Sequence, residues 1–229
     1  MASAASDERV GRMEFQLQMR QRGITDTAVL RALDEVPREY FVPADYSNKA
    51  YADHALPIAC GQTISQPLVV ARMLEALAVQ PVDRVLDIGT GSGYHAALLA
   101  LLANHVWTIE RHPALSAEAE RSIRGLGIDN VSFLVADGTE GLPALAPFDV
   151  INVAAATGDE VAGALERQLA AGGRMVVPVG NHRQHLVLTR RTPEGFARER
   201  LEAVRFVPLV RGEPEGDGEG GAGKGDPGR

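Results

Sequence analysis

One cysteine, Cys60, stands alone in 229 residues, so no intramolecular disulfide can staple the chain. No apolar run approaches the ~20 residues that a membrane-spanning helix needs. The first residues, MASAASDERVGR, lack the apolar core of a secretory signal. A basic excess is also missing. The formal net charge is −7, which offers no electrostatic footing for a nucleic-acid partner. His182 and His185 enclose only Arg183 and Gln184, with no cysteine or acid at metal-ligand spacing. These absences lead us to expect a cytoplasmic protein without metal, membrane or nucleic acid.

What is present is an ordinary globular balance, 45% hydrophobic and 23% charged residues, in a length that suits one domain. The last 18 residues, GEPEGDGEGGAGKGDPGR, contain no aliphatic side chain larger than alanine. Such a segment cannot bury enough apolar surface to offset its ordering entropy. The expectation is a single domain over residues 1–211 and a disordered acidic tail over 212–229. The tail carries −3 of the net charge, which leaves the body only mildly acidic.

The first 80 residues read as helical but irregular. Glu8 to Gln21 has apolar positions at an imperfect helical period. Thr25 is placed to cap a second helix, whose apolar face includes Val29, Leu30 and Leu33. Pro37 and Pro43 rule out continuous helix through VPREYFVPADY. The polar loop CGQTISQP follows, and Pro67 opens a helix running to about Ala78.

From Arg84 short strands alternate with helices. RVLDI, HVWTIE, VSFLVAD, FDVINVA and RMVVPVG read as strands. Helices fall at about 94–103, 113–126 and 160–169. That alternation implies βαβ units and a mostly parallel sheet. HLVLTRRT and AVRFVPLV lack an intervening helix and point to antiparallel strands at one edge. The fold class is therefore α/β and Rossmann-like.

DIGTGSG, Asp87 to Gly93, joins the first of these strands to its helix. Glycines there let the backbone turn tightly and approach a ligand at a helix N-terminus. The spacing is neither the dinucleotide fingerprint nor the P-loop, and no lysine follows to hold a triphosphate. Glu110 ends the second strand, 21 residues after Gly89, where a carboxylate can accept from ribose hydroxyls. Asp137-Gly138 ends the third. Together they describe a crevice for an adenosine-type ligand without a phosphate anchor, S-adenosylmethionine more than NAD.

These residues resemble those of the protein-L-isoaspartate O-methyltransferase family in its bacterial form. The likeness covers YADHALPIACGQTISQP, VLDIGTGSGYHAALLA, IER, DGTEG, APFDVINVAA, QLAAGGRMVVPVG and AVRFVPLV, most of the chain. GQTISQP and GGRMVVPVG are its most family-specific parts. The resemblance implies methyl transfer from S-adenosylmethionine to the free carboxylate of L-isoaspartyl residues in damaged proteins and peptides. The ester then recloses to a succinimide, and hydrolysis restores some normal aspartate. It further implies Ser65 as the active-site serine, with Thr63 and Ile64 beside it against the cofactor. Asp87, Gly89 and Gly91 would line the methionine end, Glu110 the ribose, and Asp137 with Gly138 the adenine. Val179 would offer backbone to the substrate, and Gln184 would reach the cofactor. A monomer is expected. The chain departs from the family pattern at Thr139, Ala154 and Thr157-Gly158-Asp159-Glu160. Those departures bear on substrate breadth more than on reaction type.

An acceptor carboxylate is already ionised at neutral pH, so the reaction needs orientation and exclusion of water rather than a strong base. Hydroxyl and amide groups suit that task, and Ser65 reads as an orienting group rather than a nucleophile, since no G-x-S-x-G elbow surrounds it. His95 reads as a packing or solvent-facing residue, His54 as a loop residue ahead of the site, Cys60 as a small buried hydrophobe, and Trp107 as packing under the sheet. Two other readings stand beside the leading one. One is a methyltransferase of the same fold acting on a dedicated biosynthetic peptide. The other is a non-catalytic module, which an intact glycine loop and Ser65 disfavour.

Overall fold

The computed structural model of the chain describes residues 2–212, with side chains from residue 11. Apart from Gly212, the expected acidic tail lies outside the described residues. The chain opens with helices α1 (Ala2–Gln21) and α2 (Thr27–Glu35), then crosses 3-10 turns to a small ribbon of β1 (Leu56–Pro57) and β2 (Thr63–Ile64). Helix α3 (Pro67–Leu77) leads into the main sheet. Its elements are β3 (Arg84–Ile88), α4 (Tyr94–Leu102), β4 (His105–Glu110), α5 (Pro113–Gly125), β5 (Val131–Val135), β6 (Phe148–Val153), α6 (Gly163–Glu166), β7 (Leu169–Val179), β8 (Gln184–Thr192) and β9 (Gly195–Val204).

The seven strands lie in the order β5-β4-β3-β6-β7-β8-β9. Strands β3 to β7 are parallel, and β8 and β9 are antiparallel additions at one edge. Because β3 neighbours both β4 and β6, the order reverses at its carboxyl end. In open α/β sheets that reversal point is where ligands bind.

Alternation along the strands divides the core between two faces. Val85, Val106, Val150 and Val176 face helices α1 to α5. Leu86, Ile88, Ile151 and Met175 face the other way, toward Leu165 of α6. On α1, Phe15 and Met19 are buried one turn apart while Met13 and Leu17 are exposed. The helix therefore seats only a narrow stripe, which explains its imperfect period.

Three sequence expectations need correction. Asp26 rather than Thr25 caps α2, its carboxylate accepting from the N–H groups of Ala28 and Val29. Thr25 instead donates to Glu75 of α3, tying the two helices together. The helix expected over 160–169 shrinks to the four residues of α6. Gln168, which would continue it, bonds across to the backbones of Leu142 and Glu140, and β7 begins at Leu169. The last strand is not AVRFVPLV. Strand β9 ends at Val204, and residues 205–210 leave the sheet as an extended segment. Strand β9 is mostly exposed and rich in charge, so its polarity hid it. After the exposed Arg205 the segment is apolar, and Val207 to Val210 cover the crevice.

Candidate active site

Where the order reverses, the carboxyl ends of β3, β4 and β6 surround a cavity of about 290 Å³. The glycine loop forms its floor. Gly89 N–H and Thr90 N–H both donate to the Ile109 carbonyl, which binds the loop to the end of β4. Gly93 has φ +89°, and a Cβ there would lie 2.9 Å from Ala119 Cβ, so only glycine lets α5 close on the loop. Gly91 has φ +53°, with open space toward the cavity beyond an Ile58 methyl at 3.7 Å.

Glu110 closes one side. It is 6% exposed and accepts from Gly91 N–H at 2.9 Å and His112 N–H at 3.0 Å. Each carboxylate oxygen keeps a further lone pair, and the side chain lines the cavity. Gly138 lines it too, and Ile88 presses against that glycine so closely that a Cβ would stand 2.7 Å from its methyl.

The polar loop lies across from the glycines. Thr63, Ile64 and Ser65 all line the cavity, Ile64 buried as the apolar anchor of β2. Arg38 holds this wall from behind. Its guanidinium is 0% exposed, stacks 4.8 Å from the centroid of the Tyr94 ring, and donates to the carbonyls of Ala50 and Ser65. Burial pushes its pKa down to about 10, so it stays charged at neutral pH.

Four of the expected residues stand outside the cavity wall. Asp87 lies beneath the glycine loop, 0% exposed, and accepts from Asn152 Nδ2 and Thr108 Oγ1, each at 2.7 Å. Burial raises its pKa to about 6, opposed by those two hydrogen bonds and reinforced by the charge of Glu110. Asp137 spends one oxygen on Thr139 and the other on Gly212 N–H. Its pKa is lowered: burial pushes it up, but the Gly212 and Thr139 hydrogen bonds outweigh that. Gln184 bonds both backbone groups of Phe206, its Nε2 donating at 3.1 Å and its Oε1 accepting at 2.6 Å. Val179 ends β7 and bridges to Thr157.

Asp137 and Gln184 have a common structural effect. Both tether the covering segment, which is also clamped where Ala156 exchanges hydrogen bonds with Val207 and Leu209. Val207 to Val210 then form one wall of the cavity. The sequence pattern assigned that segment to a strand, and only Pro208 within it argued otherwise.

Further residues reach the site without a sequence signal. His95, expected to pack or face solvent, is buried and lines the cavity; its Nδ1 lies 3.3 Å from Asn152 Nδ2. Cys60, expected to be buried, is exposed at the cavity mouth with φ 55°. His54 is exposed and outside the wall. Trp107 packs edge-on to Phe148 as expected, centroids 5.7 Å apart. Among the described residues there is no cluster of three metal-ligating side chains, and no helix is long and apolar enough to cross a membrane.

Comparison with known proteins places this arrangement. The family model described as protein-L-isoaspartate(D-aspartate) O-methyltransferase matches residues 12–214. The chain is 53% identical over 203 residues to the protein-L-isoaspartate O-methyltransferase of Paracoccus denitrificans, covering 88% of this chain and 94% of that protein. It is 55% identical over 194 residues to the one of Koribacter versatilis, covering 84% and 87%. A solved protein-L-isoaspartate O-methyltransferase superposes with a TM-score of 0.79 at 30% identity, over 89% of this chain and 67% of that one. A Plasmodium falciparum structure described as a beta-aspartate methyltransferase in complex with S-adenosyl-L-homocysteine gives a TM-score of 0.74 at 27% identity, over 86% and 97%. The chain belongs to the protein-L-isoaspartate(D-aspartate) O-methyltransferase family.

Proposed function

We infer that this protein transfers a methyl group from S-adenosylmethionine to the free carboxylate of L-isoaspartyl residues in damaged proteins and peptides. The observation that carries the reading is the wall around Ser65. Thr63 and Ser65 bring hydroxyl side chains to the cavity lining, and a buried guanidinium, Arg38, holds the Ser65 carbonyl from behind. Among the described residues Arg38 forms no ion pair, and the charge of Asp53, which acts on it from further away, offsets only part of its own.

The residues present suit the cofactor. Glycines 89 and 91 leave room for close approach, Glu110 keeps acceptor capacity for ribose hydroxyls, and Gly138 with Ile88 and Ile109 supplies an apolar flank. When bound, S-adenosylmethionine supplies an electrophilic methyl group on a sulfonium. In this reading Thr63, Ile64, Gly89, Gly91, Glu110 and Gly138 hold the cofactor. Asp87 sets the glycine loop from below, and Asp137 and Gln184 secure the cover. Ser65 orients the acceptor carboxylate, Val179 offers backbone to the substrate chain, and no residue is required as a base. The segment 207–210 keeps water from the reacting groups. We take the protein to act as a cytoplasmic monomer.

The test is methyl transfer from labelled S-adenosylmethionine to two peptides that differ only in isoaspartate against aspartate. Base-labile label on the isoaspartyl peptide alone is expected. Cofactor binding with label on neither peptide would overturn the substrate assignment and favour a dedicated peptide substrate.

A further inference from the structure

We propose that His95 is a carboxylate-binding group of this cavity, its Nε2–H donating to a carboxylate oxygen that a ligand brings in. His95 is the second residue of α4, two positions after the last glycine of the loop, and 7% exposed. Its Nδ1 faces Asn152 Nδ2, which also lies 2.7 Å from Asp87 Oδ1. An amide –NH2 only donates, so Nδ1 must be the acceptor and the ring proton must sit on Nε2. The Asp87 carboxylate is fixed in turn by the hydroxyl of Thr108, which also contacts Thr90 Oγ1 at 2.6 Å. The chain thus builds a four-residue relay whose outcome is one tautomer.

That Nε2–H is buried and has no partner among the described residues, while the ring lines the cavity. A buried donor left unpaired carries a full desolvation penalty, which an acceptor arriving with a ligand removes. Burial also drives the His95 pKa down to about 3, so the ring stays a neutral donor across the physiological range. The inference rests on the functional reading above, which brings two carboxylates to this cavity. One belongs to the amino-acid end of the cofactor, the other to the isoaspartyl acceptor.

The test uses the full chain, with His95→Leu to remove the donor at similar volume and His95→Gln to restore an N–H. S-adenosylhomocysteine affinity is measured by calorimetry without peptide, and KM for an isoaspartyl peptide from initial rates at saturating cofactor. Side-chain 15N resonances of the wild type report the His95 tautomer and its response to each ligand. His95→Leu is expected to lose about ten- to a hundredfold in one of the two affinities, and His95→Gln to recover most of it. Weakened S-adenosylhomocysteine binding, with Nε2 shifting on its addition, assigns the cofactor carboxylate. A raised KM alone, with Nε2 shifting only when peptide is added, assigns the acceptor. The proposal falls if His95→Leu stays within about twofold in both affinities, if His95→Gln is no better than His95→Leu, or if the proton resides on Nδ1. A wild type inactive on the isoaspartyl peptide brings down the functional reading. The proposal is then decided by S-adenosylhomocysteine alone, and an unchanged affinity with an unmoved Nε2 resonance overturns it.

Discussion

Arg38 Nη2 donates to the carbonyl of Ser65 at 2.7 Å, and Arg38 Nε donates to the carbonyl of Ala50 at the same distance. A residue just after α2 therefore sets the position of the polar loop 27 residues further on. Replacing Arg38 with methionine keeps the apolar stem and strands two buried acceptors. Stability should fall by about 2–4 kcal/mol in urea denaturation. Arg38→Lys should recover only part of this, because one ammonium cannot reproduce the guanidinium fork. Equal stability of Arg38→Met and wild type would show that other contacts hold the loop.

Ser65→Ala tests the front of the same wall. Ser65 is half-buried in the cavity lining, and its carbonyl is already held by Arg38, so removing the hydroxyl leaves the loop in place. Misorienting an acceptor that is already ionised should cost turnover: kcat falls by about ten- to a hundredfold while S-adenosylhomocysteine affinity changes by less than about twofold. Comparable losses in kcat and cofactor affinity would contradict an orienting role.

Asp87 makes stability depend on pH in a direction opposite to most carboxylates. Its folded pKa of about 6 lies above the ordinary 3.8, chiefly because of burial. Between those values the folded protein holds a proton that the unfolded chain releases. The contribution is thus complete below pH 3.8 and lost as pH rises through 6. Relative to Asp87→Asn, the wild type should lose on the order of 2–3 kcal/mol between pH 4 and pH 7. Urea curves of both proteins at several pH values read this difference directly. Parallel curves would mean that the hydrogen bonds from Asn152 and Thr108 fully offset the burial.

The five parallel strands, the glycine loop and Glu110 were legible because each depends on local sequence. A buried parallel strand is a short apolar run, and a βα turn with glycines at φ +91°, +53° and +89° leaves few other residue choices. His95 and Asn152 were not legible, since they meet only through the pairing of β3 with β6, 57 residues apart in sequence. Arg38 was equally hidden, because a charged residue beside Pro37 looks like a solvated turn until the loop folds over it. The segment 205–210 misled for the opposite reason. Its apolarity matched a strand, and apart from Pro208 nothing local distinguishes burial in a sheet from burial over a ligand cavity.

That segment yields the last prediction, a pair of truncations. Residues 205–212 are fixed by Gln184 at Phe206, by Ala156 at Val207 and Leu209, and by Asp137 at Gly212. Arg211 adds an exposed ion pair to Glu140, a contact that contributes little in water. Residues 213–229 carry no aliphatic side chain larger than alanine. Ending the chain after Gly212 should therefore leave kcat/KM and S-adenosylhomocysteine affinity within about twofold of the full chain. Ending it after Val204 keeps every strand but removes one wall of the cavity, and should weaken cofactor binding by about tenfold or more. Gln184→Leu should fall between the two, since it frees Phe206 while Ala156 still holds Val207 and Leu209. Calorimetry with S-adenosylhomocysteine ranks all three. If truncation after Val204 bound it as tightly as the full chain, the segment would be a bystander, and water would have to be excluded by the bound substrate instead.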